Sequence, residues 1–392
     1  VRLRLSPERR LNYIPPMKLI TATDDLAAFC ARQSGAPFVT VDTEFLRETT
    51  YWPRLCLVQV GGPCEEAAVD PLAEGLDLAP LLDLLRDPGL LKVFHAAGQD
   101  LEIFHQLLGG ALPAPIFDTQ VAAMVCGFGE QVGYDTLVYQ ITGVEIEKTA
   151  RLADWSRRPL SEAQLCYALA DVTYLREVYA VLRDRLAETG RAPWLDEEMA
   201  RLTDPASYAI DPETVWQRLK LRSGDRKYLA IMQSVAAWRE REAQRRDVPR
   251  NRMLRDEQIQ DIAAQAPRDA AHLAQVRGLG ADTARGRLGQ GILAAVQAAL
   301  DLPPDQRPRR PARTKRLPAH LTPVVDLLRV LLKTRSEAHG VAQKLVATAA
   351  DLERIAADSA ADVDALRGWR YEIFGADALA LKRGELALAA GG

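Results

Sequence analysis

The sequence has 392 residues, 48% of them hydrophobic and 26% charged, a composition typical of globular proteins. A single core rarely grows to this length, so we expect two or three domains. The longest apolar run is shorter than the roughly 18 residues that a membrane span needs, and the N-terminus has no signal-peptide core. The five cysteines lack CxxC spacing. This pattern predicts free thiols in a cytoplasmic protein, with no membrane partner.

The net charge of −3 conceals an asymmetry between the two halves of the chain. Residues 1–200 contain 18 basic and 29 acidic side chains, whereas residues 201–392 contain 32 basic and 24 acidic ones. The acidic half is suited to hold cations and the basic half to meet a polyanion such as a nucleic acid. Biased solvated surfaces explain the same numbers equally well.

The first 205 residues alternate between strand-like and helix-like segments. They predict a strand meander followed by βα units, and therefore an α/β layer with a mixed sheet. The predicted strands are FVTVDTEF (38–45), LCLVQVG (55–61), EEAAVD (65–70), LLKVFHA (90–96) and a short one in PIFDT (115–119). The predicted helices are LAPLLDLLRD (78–87), QDLEIFHQLLG (99–109) and most of residues 120–187.

The rest of the chain is predicted to be helical and to contain a repeat. VPRNRMLRDEQIQDIA (248–263) matches VAQKLVATAADLERIA (341–356) in its apolar positions, at an offset of 93 residues. The stretch between them, residues 301–316, is rich in proline and arginine, which favours an interdomain linker. Two small all-helical domains of one type are therefore expected.

Two acids stand one residue apart in the first predicted strand. Since residues i and i+2 of a strand share a face, Asp42 and Glu44 project together. Two neighbouring carboxylates in a partly desolvated place repel unless a cation lies between them, and oxygen ligands favour magnesium or manganese. A polar strand end with both acids solvated is the alternative.

Two further segments carry acids that are ambiguous alone. Asp100 falls in the first turn of a predicted helix, where the helix dipole also favours an acid. Ser161 and Gln164 form a capping-box pattern that predicts a helix start. On that helix Tyr167 and Asp171 are spaced i, i+4 and point the same way. A semi-buried tyrosine beside a solvated acid would give the same pattern.

Together these residues resemble the tyrosine-containing branch of the DEDD exonuclease superfamily. Residues 42–59 and 154–172 are similar to the ribonuclease D family segment by segment, and the helical repeats resemble HRDC domains. The resemblance implies an α/β ribonuclease H-like exonuclease domain, a mixed sheet flanked by helices, followed by two small all-α HRDC-type domains. The expected boundaries are an N-terminal extension (1–16), the exonuclease domain (17–205), the first HRDC domain (208–300), a basic linker (301–316) and a second HRDC-like domain (317–392).

The resemblance also implies the chemistry. A divalent-metal-dependent 3′–5′ exoribonuclease would release 5′-mononucleotides from RNA, in particular from transfer RNA precursors with a 3′ trailer and other stable RNAs. Two Mg²⁺ or Mn²⁺ ions would be held by Asp42, Glu44, Asp100 and Asp171, with Asp42 bridging them. Tyr167 would orient the attacking water, which completes the expected catalytic set. A nucleotide cofactor is not expected, since the sequence has no GK[ST] phosphate loop.

Several residues outside the acidic set also match the ribonuclease D pattern. Asp118 is read as a loop cap or a support for the site. The segment with Lys148, Asp154, Trp155 and Arg158 is expected to position the last helix of the exonuclease domain.

Arginines in the basic half are candidates for RNA contacts through phosphate neutralisation. Ion pairs on a solvated helix face are the alternative. The candidate RNA-binding residues are Arg47, Arg245, Arg246, Arg250, Arg252 and Arg277.

Two other functions remain open from the residues alone. A DNA exonuclease of the proofreading or repair type would use the same acids, because metal chemistry at phosphorus is indifferent to the sugar. A non-catalytic nucleic-acid-binding scaffold is disfavoured, since it would not need the acids. The sequence does not predict an oligomeric state.

Overall fold

The computed structural model describes residues 18–148, 150–310 and 317–389, and these residues form two compact units. The first unit combines residues 18–45, 55–207 and 317–389, and the second combines residues 46–54 and 208–310. The predicted N-terminal extension, 1–16, lies outside the described residues. The C-terminal helical region therefore belongs to the same unit as the α/β region, which the predicted domain order did not anticipate.

The described residues of the first unit contain one six-stranded sheet. Its strands are β1 (Leu19–Ile20), β2 (Phe38–Leu46), β3 (Arg54–Gly61), β4 (Glu66–Val69), β5 (Leu91–Phe94) and β6 (Ile116–Asp118). Their order across the sheet is β1-β4-β3-β2-β5-β6. β1 pairs with β4, β2 with β5, and β5 with β6 in parallel, whereas β3 and β4 run antiparallel. The predicted mixed sheet is confirmed. Of the six described strands, β1 alone was not predicted, because a strand of two residues gives no periodicity to detect.

Helices flank this sheet, and the longest of them begins at the predicted capping box. Ser161 accepts from the backbone N–H of Gln164, whose side chain accepts from the N–H of Ser161. The helix ends at Gly190 in a left-handed conformation, the usual terminator. The helices are α1 (Thr23–Gln33), α2 (Ala79–Arg86), α3 (Gly98–Leu107), α4 (Thr119–Val125), α5 (Tyr134–Thr142), α6 (Glu162–Thr189) and α7 (Ala192–Leu202).

The second unit is all-helical and has its own core. Ile231, Ile259 and Ile292 are fully buried within it, and each such side chain contributes about 1.5–3 kcal/mol by leaving water. Arg226 donates to the carbonyl oxygens of Asp305 and Arg307, so the start of the predicted linker is hydrogen-bonded to this unit. The helices are α8 (Arg226–Arg246), α9 (Arg250–Met253), α10 (Asp256–Gln265), α11 (Ala270–Leu273), α12 (Ala281–Arg285) and α13 (Arg287–Asp301).

The C-terminal region repeats the start of that helical pattern. α15 begins 93 residues after α9, and α16 begins 93 residues after α10, the offset seen in the sequence. Gly278 and Gly368, which are 90 residues apart, both have positive φ angles. The region consists of α14 (Thr322–His339), α15 (Gln343–Val346), α16 (Ala349–Ala357), α17 (Gly368–Arg370) and α18 (Ala376–Arg383).

The C-terminal region packs directly on α7. The rings of Trp194 and Trp369 stack with centroids 4.3 Å apart and an interplanar angle of 9°. Arg370, whose side chain is only 3% exposed, pairs with Glu197 at 2.8 Å and also with Glu198. A buried arginine needs such partners, since an unpaired charge in this place would be costly. A search of the described residues finds no helix that could span a lipid bilayer.

Candidate active site

Side chains alternate between the two faces of β2, and this alternation brings its two acids to one face, as predicted. Val41 and Thr43 are buried on the opposite face, whereas Asp42 and Glu44 are half-buried. Their carboxylates meet that of Asp171 from α6, and ligand atoms of the three groups lie within 4.8 Å of one another. Asp171 therefore forms one cluster with residues 127 and 129 positions before it in the chain.

Two hydrogen bonds fix the turn of α6 that carries Asp171. Tyr134 donates its hydroxyl to the carbonyl oxygen of Ala170 at 2.9 Å. Thr40, two residues before Asp42 on β2, donates to the carbonyl oxygen of Val172 at 2.8 Å. Since both bonds flank Asp171, they set its position against the strand.

A glycine allows α6 to approach the sheet this closely. A Cβ on Gly61 would lie 2.5 Å from the Thr40 hydroxyl and 3.2 Å from the carbonyl oxygen of Val172. Such contacts would push the helix away from β2. Gly61 therefore supports the placement of Asp171, although nothing in the sequence alone distinguishes it from other strand glycines.

The three clustered acids have raised pKa values. Burial raises the pKa of Asp42 well above its usual range, and the neighbouring charge of Asp171 adds to this effect. Burial, Asp42 and Asp171 together raise the pKa of Glu44 to about 9. Burial raises the pKa of Asp171 to about 7. Without a cation some of these groups must hold protons, which is the electrostatic signature of a metal site.

Asp100 lies near this cluster but is not one of its three members. It is buried in the first turn of α3, and the hydroxyl of Thr43 donates to its Oδ1. Burial raises the pKa of Asp100, and Asp42 contributes to that rise. The sequence placed Thr43 only among the packed residues of β2 and gave no sign of its bond to Asp100, which comes 57 positions later.

Asp118 holds the loop that leads to Asp100. Its carboxylate accepts from the backbone N–H groups of Ala96 and Ala97 at 3.2 and 2.8 Å. It also caps α4 by accepting from Gln120 and Val121. Of the two interpretations of Asp118, a loop cap or a support for the site, these hydrogen bonds support the cap.

Tyr167 lies on the flank of α6 that carries Asp171. Burial, followed by the charges of Asp171 and Glu44, raises its pKa above the ordinary value for tyrosine. A hydroxyl that keeps its proton is suited to orient a water or a phosphate rather than to act as a base. The ring of Trp155 lies 6.2 Å from that of Tyr167.

The predicted RNA-binding arginines differ in their surroundings. Arg245 and Arg246 both pair with Glu242, and Arg250 pairs with the buried Glu240 at 2.8 Å. These contacts favour the ion-pair alternative for the three. Arg47 also interacts with other groups of the protein.

Arg252 and Arg277, by contrast, line one cleft in the second unit. Arg222 and Arg255 line the same cleft, and neither was singled out from the sequence. Their positions are far apart in the chain, so only the fold shows that they share a surface.

Comparison with known proteins identifies the family. Residues 17–187 match the 3′–5′ exonuclease family, and residues 229–296 match the HRDC domain. Ribonuclease D of Granulibacter bethesdensis is 54% identical over 389 residues, covering 99% of this chain and 98% of that protein. Ribonuclease D of Acidiphilium cryptum is 53% identical over 380 residues, 96% of each chain. The chain belongs to the ribonuclease D family.

Solved structures agree with this assignment. The crystal structure of Escherichia coli RNase D, an exoribonuclease involved in structured RNA processing, is 30% identical and superposes with a TM-score of 0.78 over 95% of this chain and 99% of that one. The catalytic core of RRP6 from Trypanosoma brucei, 20% identical with a TM-score of 0.56, shares the fold over 74% of this chain and 81% of that one. The predicted fold class is confirmed.

The enzymatic prediction is confirmed as well. The chain is a hydrolase, a 3′–5′ exoribonuclease of the ribonuclease D type that acts on RNA, with one HRDC domain identified by family comparison. Its exonuclease domain is of the divalent-metal-dependent type, and its carboxylate cluster agrees with that requirement.

Proposed function

We propose that this chain trims the 3′ ends of structured RNAs, transfer RNA precursors with a 3′ trailer in particular, and releases 5′-mononucleotides. The observation that carries the proposal is the cluster of Asp42, Glu44 and Asp171, with Tyr167 one helical turn from Asp171. Full-length similarity to ribonuclease D proteins supports RNA rather than DNA as the substrate.

The donor set of the cluster fits hard divalent cations. It offers only carboxylate oxygens, which Mg²⁺ and Mn²⁺ prefer, and burial and neighbouring charges raise the pKa values of Asp42 and Glu44, an effect that a bound cation would relieve. We propose that Asp42, Glu44 and Asp171 hold such cations, with Asp100 nearby completing a two-ion set. Bound divalent cations would lower the pKa of the attacking water and neutralise charge that develops on the phosphate.

The protein's own residues then have distinct tasks. Tyr167 retains its proton and orients the water or the phosphate through its hydroxyl. Thr43 holds one oxygen of Asp100, which leaves the other oxygen for a ligand. Thr40 and Tyr134 keep Asp171 in register with Asp42. The tasks of Thr43, Thr40 and Tyr134 rest on hydrogen bonds that the fold makes without substrate.

The second unit would hold the body of the RNA. Arginine side chains in one cleft neutralise phosphates without reading sequence, which suits an enzyme that accepts several RNAs. We propose Arg252, Arg255 and Arg277 for this role, whereas Arg222 pairs with Asp261 at 2.6 Å. We also propose that residues 317–389 form a second HRDC-type domain, because their helices repeat those of the first at an offset of 93. A cytoplasmic location stays a prediction.

The activity can be tested with matched RNA and DNA strands of one sequence, each labelled at the 5′ end. In Mg²⁺ or Mn²⁺ the RNA should shorten from its 3′ end in a one-nucleotide ladder, and excess chelator should stop the reaction. Faster digestion of the DNA strand, or full activity of an Asp42→Asn protein, would contradict the proposal.

The cleft can be tested with a folded transfer RNA precursor and a short oligonucleotide. We expect the double change Arg252→Gln and Arg277→Gln to weaken binding of the folded RNA and to leave hydrolysis of the short one unchanged. Arg245→Gln, which removes an arginine already paired with Glu242, is the matched control. An equal loss of activity on both substrates would argue against a role of the cleft in binding folded RNA.

A further inference from the structure

The segment of residues 150–161, between α5 and α6, is anchored firmly beside the acidic cluster. Arg158 makes two 2.6 Å contacts with the buried Asp70, one from Nε and one from Nη2. The same guanidinium donates to the carbonyl oxygen of Cys56 on β3 at 2.7 Å. Trp155 is 2% exposed, with its ring near that of Tyr167. A bidentate, largely desolvated arginine–carboxylate pair of this kind fixes backbone geometry.

The apex of this segment, in contrast, projects into solvent. Leu152 is 95% exposed, and Arg151 beside it is exposed as well. Within the part of the chain that the structure describes, the Arg151 guanidinium has no hydrogen bond or ion pair, unlike Arg158. The segment that carries it reaches the site, because the ring of Trp155 lies 6.2 Å from that of Tyr167, and the charge of Arg151 acts on both Tyr167 and Asp171. The chain therefore holds an accessible cation at the rim of its acidic cluster.

A cation beside the acidic cluster would favour the binding of a negatively charged substrate. The carboxylates that attract metal ions repel the phosphates of an RNA end, most strongly before the metal charge is complete. A guanidinium donates two parallel hydrogen bonds to phosphate and is less strongly hydrated than an ammonium group. Because the loop is fixed by Arg158 and Trp155, ordering it on binding costs little entropy.

We propose that Arg151 is a substrate-positioning residue that binds a phosphate of the RNA 3′ end at the rim of the carboxylate cluster. This inference rests on the proposed exoribonuclease function. The competing explanation is that Arg151 only offsets the charge of the acids in the metal-free protein. The proposal and this competing explanation differ in what they predict for RNA binding. Only a phosphate contact would make Arg151 part of the Michaelis complex.

The test uses the full chain with a short single-stranded RNA in saturating Mg²⁺. Arg151→Gln should raise KM about tenfold, within the range expected for loss of one charged hydrogen-bonded contact, and change kcat less than twofold. Arg157→Gln is the matched control, because Arg157 lies in the same segment, has an 83% exposed side chain and pairs with Asp154. It should leave both constants at the wild-type values.

The salt dependence gives a second readout that a purely structural role would not change. For single-stranded nucleic acid, each neutralised phosphate contributes about 0.7 to the slope of log affinity against log salt concentration. The slope of log kcat/KM should therefore fall by about 0.7 in Arg151→Gln and stay constant in Arg157→Gln.

Three results would overturn the inference: an unchanged KM with an unchanged slope, a fall in kcat alone, or equal effects of both variants. Since Arg151 is exposed, equal melting temperatures of variant and wild type would show that folding is intact. Failure of the proposed function is distinguishable, because the wild-type protein itself would then leave the RNA undigested.

Discussion

At the scale of single residues, the site depends on charges that the fold crowds together. One carboxylate oxygen from each of Asp42, Glu44 and Asp171 lies within 4.8 Å of the others, in a place that water only partly reaches. The period of two along β2 was enough to predict the first pair, and the helical spacing of four predicted Tyr167 beside Asp171. The contact between Thr43 and Asp100 was not predictable, because strand alternation describes only which face a residue occupies.

The Thr43 hydroxyl should affect the Mg²⁺ concentration that the enzyme needs for activity. Thr43→Val removes the donor to Asp100, and a buried acceptor left without its donor costs about 1–3 kcal/mol. Because that bond favours the ionised form of Asp100, its loss should raise the Mg²⁺ concentration for half-maximal activity about tenfold. Thr43→Ser retains the hydroxyl and is the control. Identical magnesium titrations of all three proteins would show that the bond has no role.

The raised pKa values also predict a pH-dependent stability of the metal-free protein. A carboxyl group with a higher pKa in the folded state stabilises the fold below its unfolded pKa, and this contribution is lost as pH rises through the folded value. For Glu44 that window runs from 4.5 to about 9, and for Asp171 from 3.8 to about 7.

The metal-free melting temperature should therefore fall between pH 5 and pH 9, and fall less steeply in Glu44→Gln. Added Mg²⁺ should raise the melting temperature more at pH 9 than at pH 6, because it replaces the lost protons. Calorimetric scans in chelator and in Mg²⁺ measure both effects. A Glu44→Gln protein with the wild-type pH slope would contradict the account.

At the scale of elements, β6 and the following helix α4 position the loop that leads to Asp100. β6 ends at Asp118, which caps α4 and accepts from the loop of Ala96 and Ala97 before α3. The βα pattern predicted these elements, and Asp118 was predicted as either a loop cap or a support for the site. Its bonds to a loop 21 and 22 residues earlier depend on the parallel pairing of β5 and β6, which local sequence does not specify.

Asp118→Ala should accordingly affect both folding and activity. Loss of a helix cap typically costs about 0.5–2 kcal/mol, and the freed loop should displace Asp100. We expect a lower melting temperature and at least a tenfold loss of kcat/KM at a temperature where the variant is folded. Thr348→Ala, which removes the capping side chain of α16, is the control and should lower stability alone. Equal activity of the two variants would limit Asp118 to a capping role.

At the scale of the whole molecule, the two compact units do not follow the order of the chain. The described C-terminal residues, 317–389, share a unit with the exonuclease fold, and the stacked pair Trp194 and Trp369 contributes to that packing. Composition and repeats predicted where the helical regions lie. They did not predict which region packs on α7, because that contact joins residues 175 positions apart and either repeat has an apolar face.

This packing predicts that α7 and the C-terminal region lose structure together. Truncating a buried tryptophan costs about 3–5 kcal/mol. Trp369→Ala should therefore speed amide hydrogen exchange in both α7 and α14, as measured by mass spectrometry. Tyr371→Ala changes an exposed aromatic residue two positions away and should leave both helices protected. Faster exchange in α14 alone would mean that the C-terminal region is an independent domain.

The central claim is that the carboxylates of β2 and α6 bind divalent cations. Anomalous diffraction from crystals soaked in Mn²⁺ tests it most directly. The account predicts a manganese peak coordinated by oxygens of Asp42, Glu44 and Asp171, which disappears in Asp171→Asn crystals. A fully soaked crystal with no peak among these three carboxylates would contradict it.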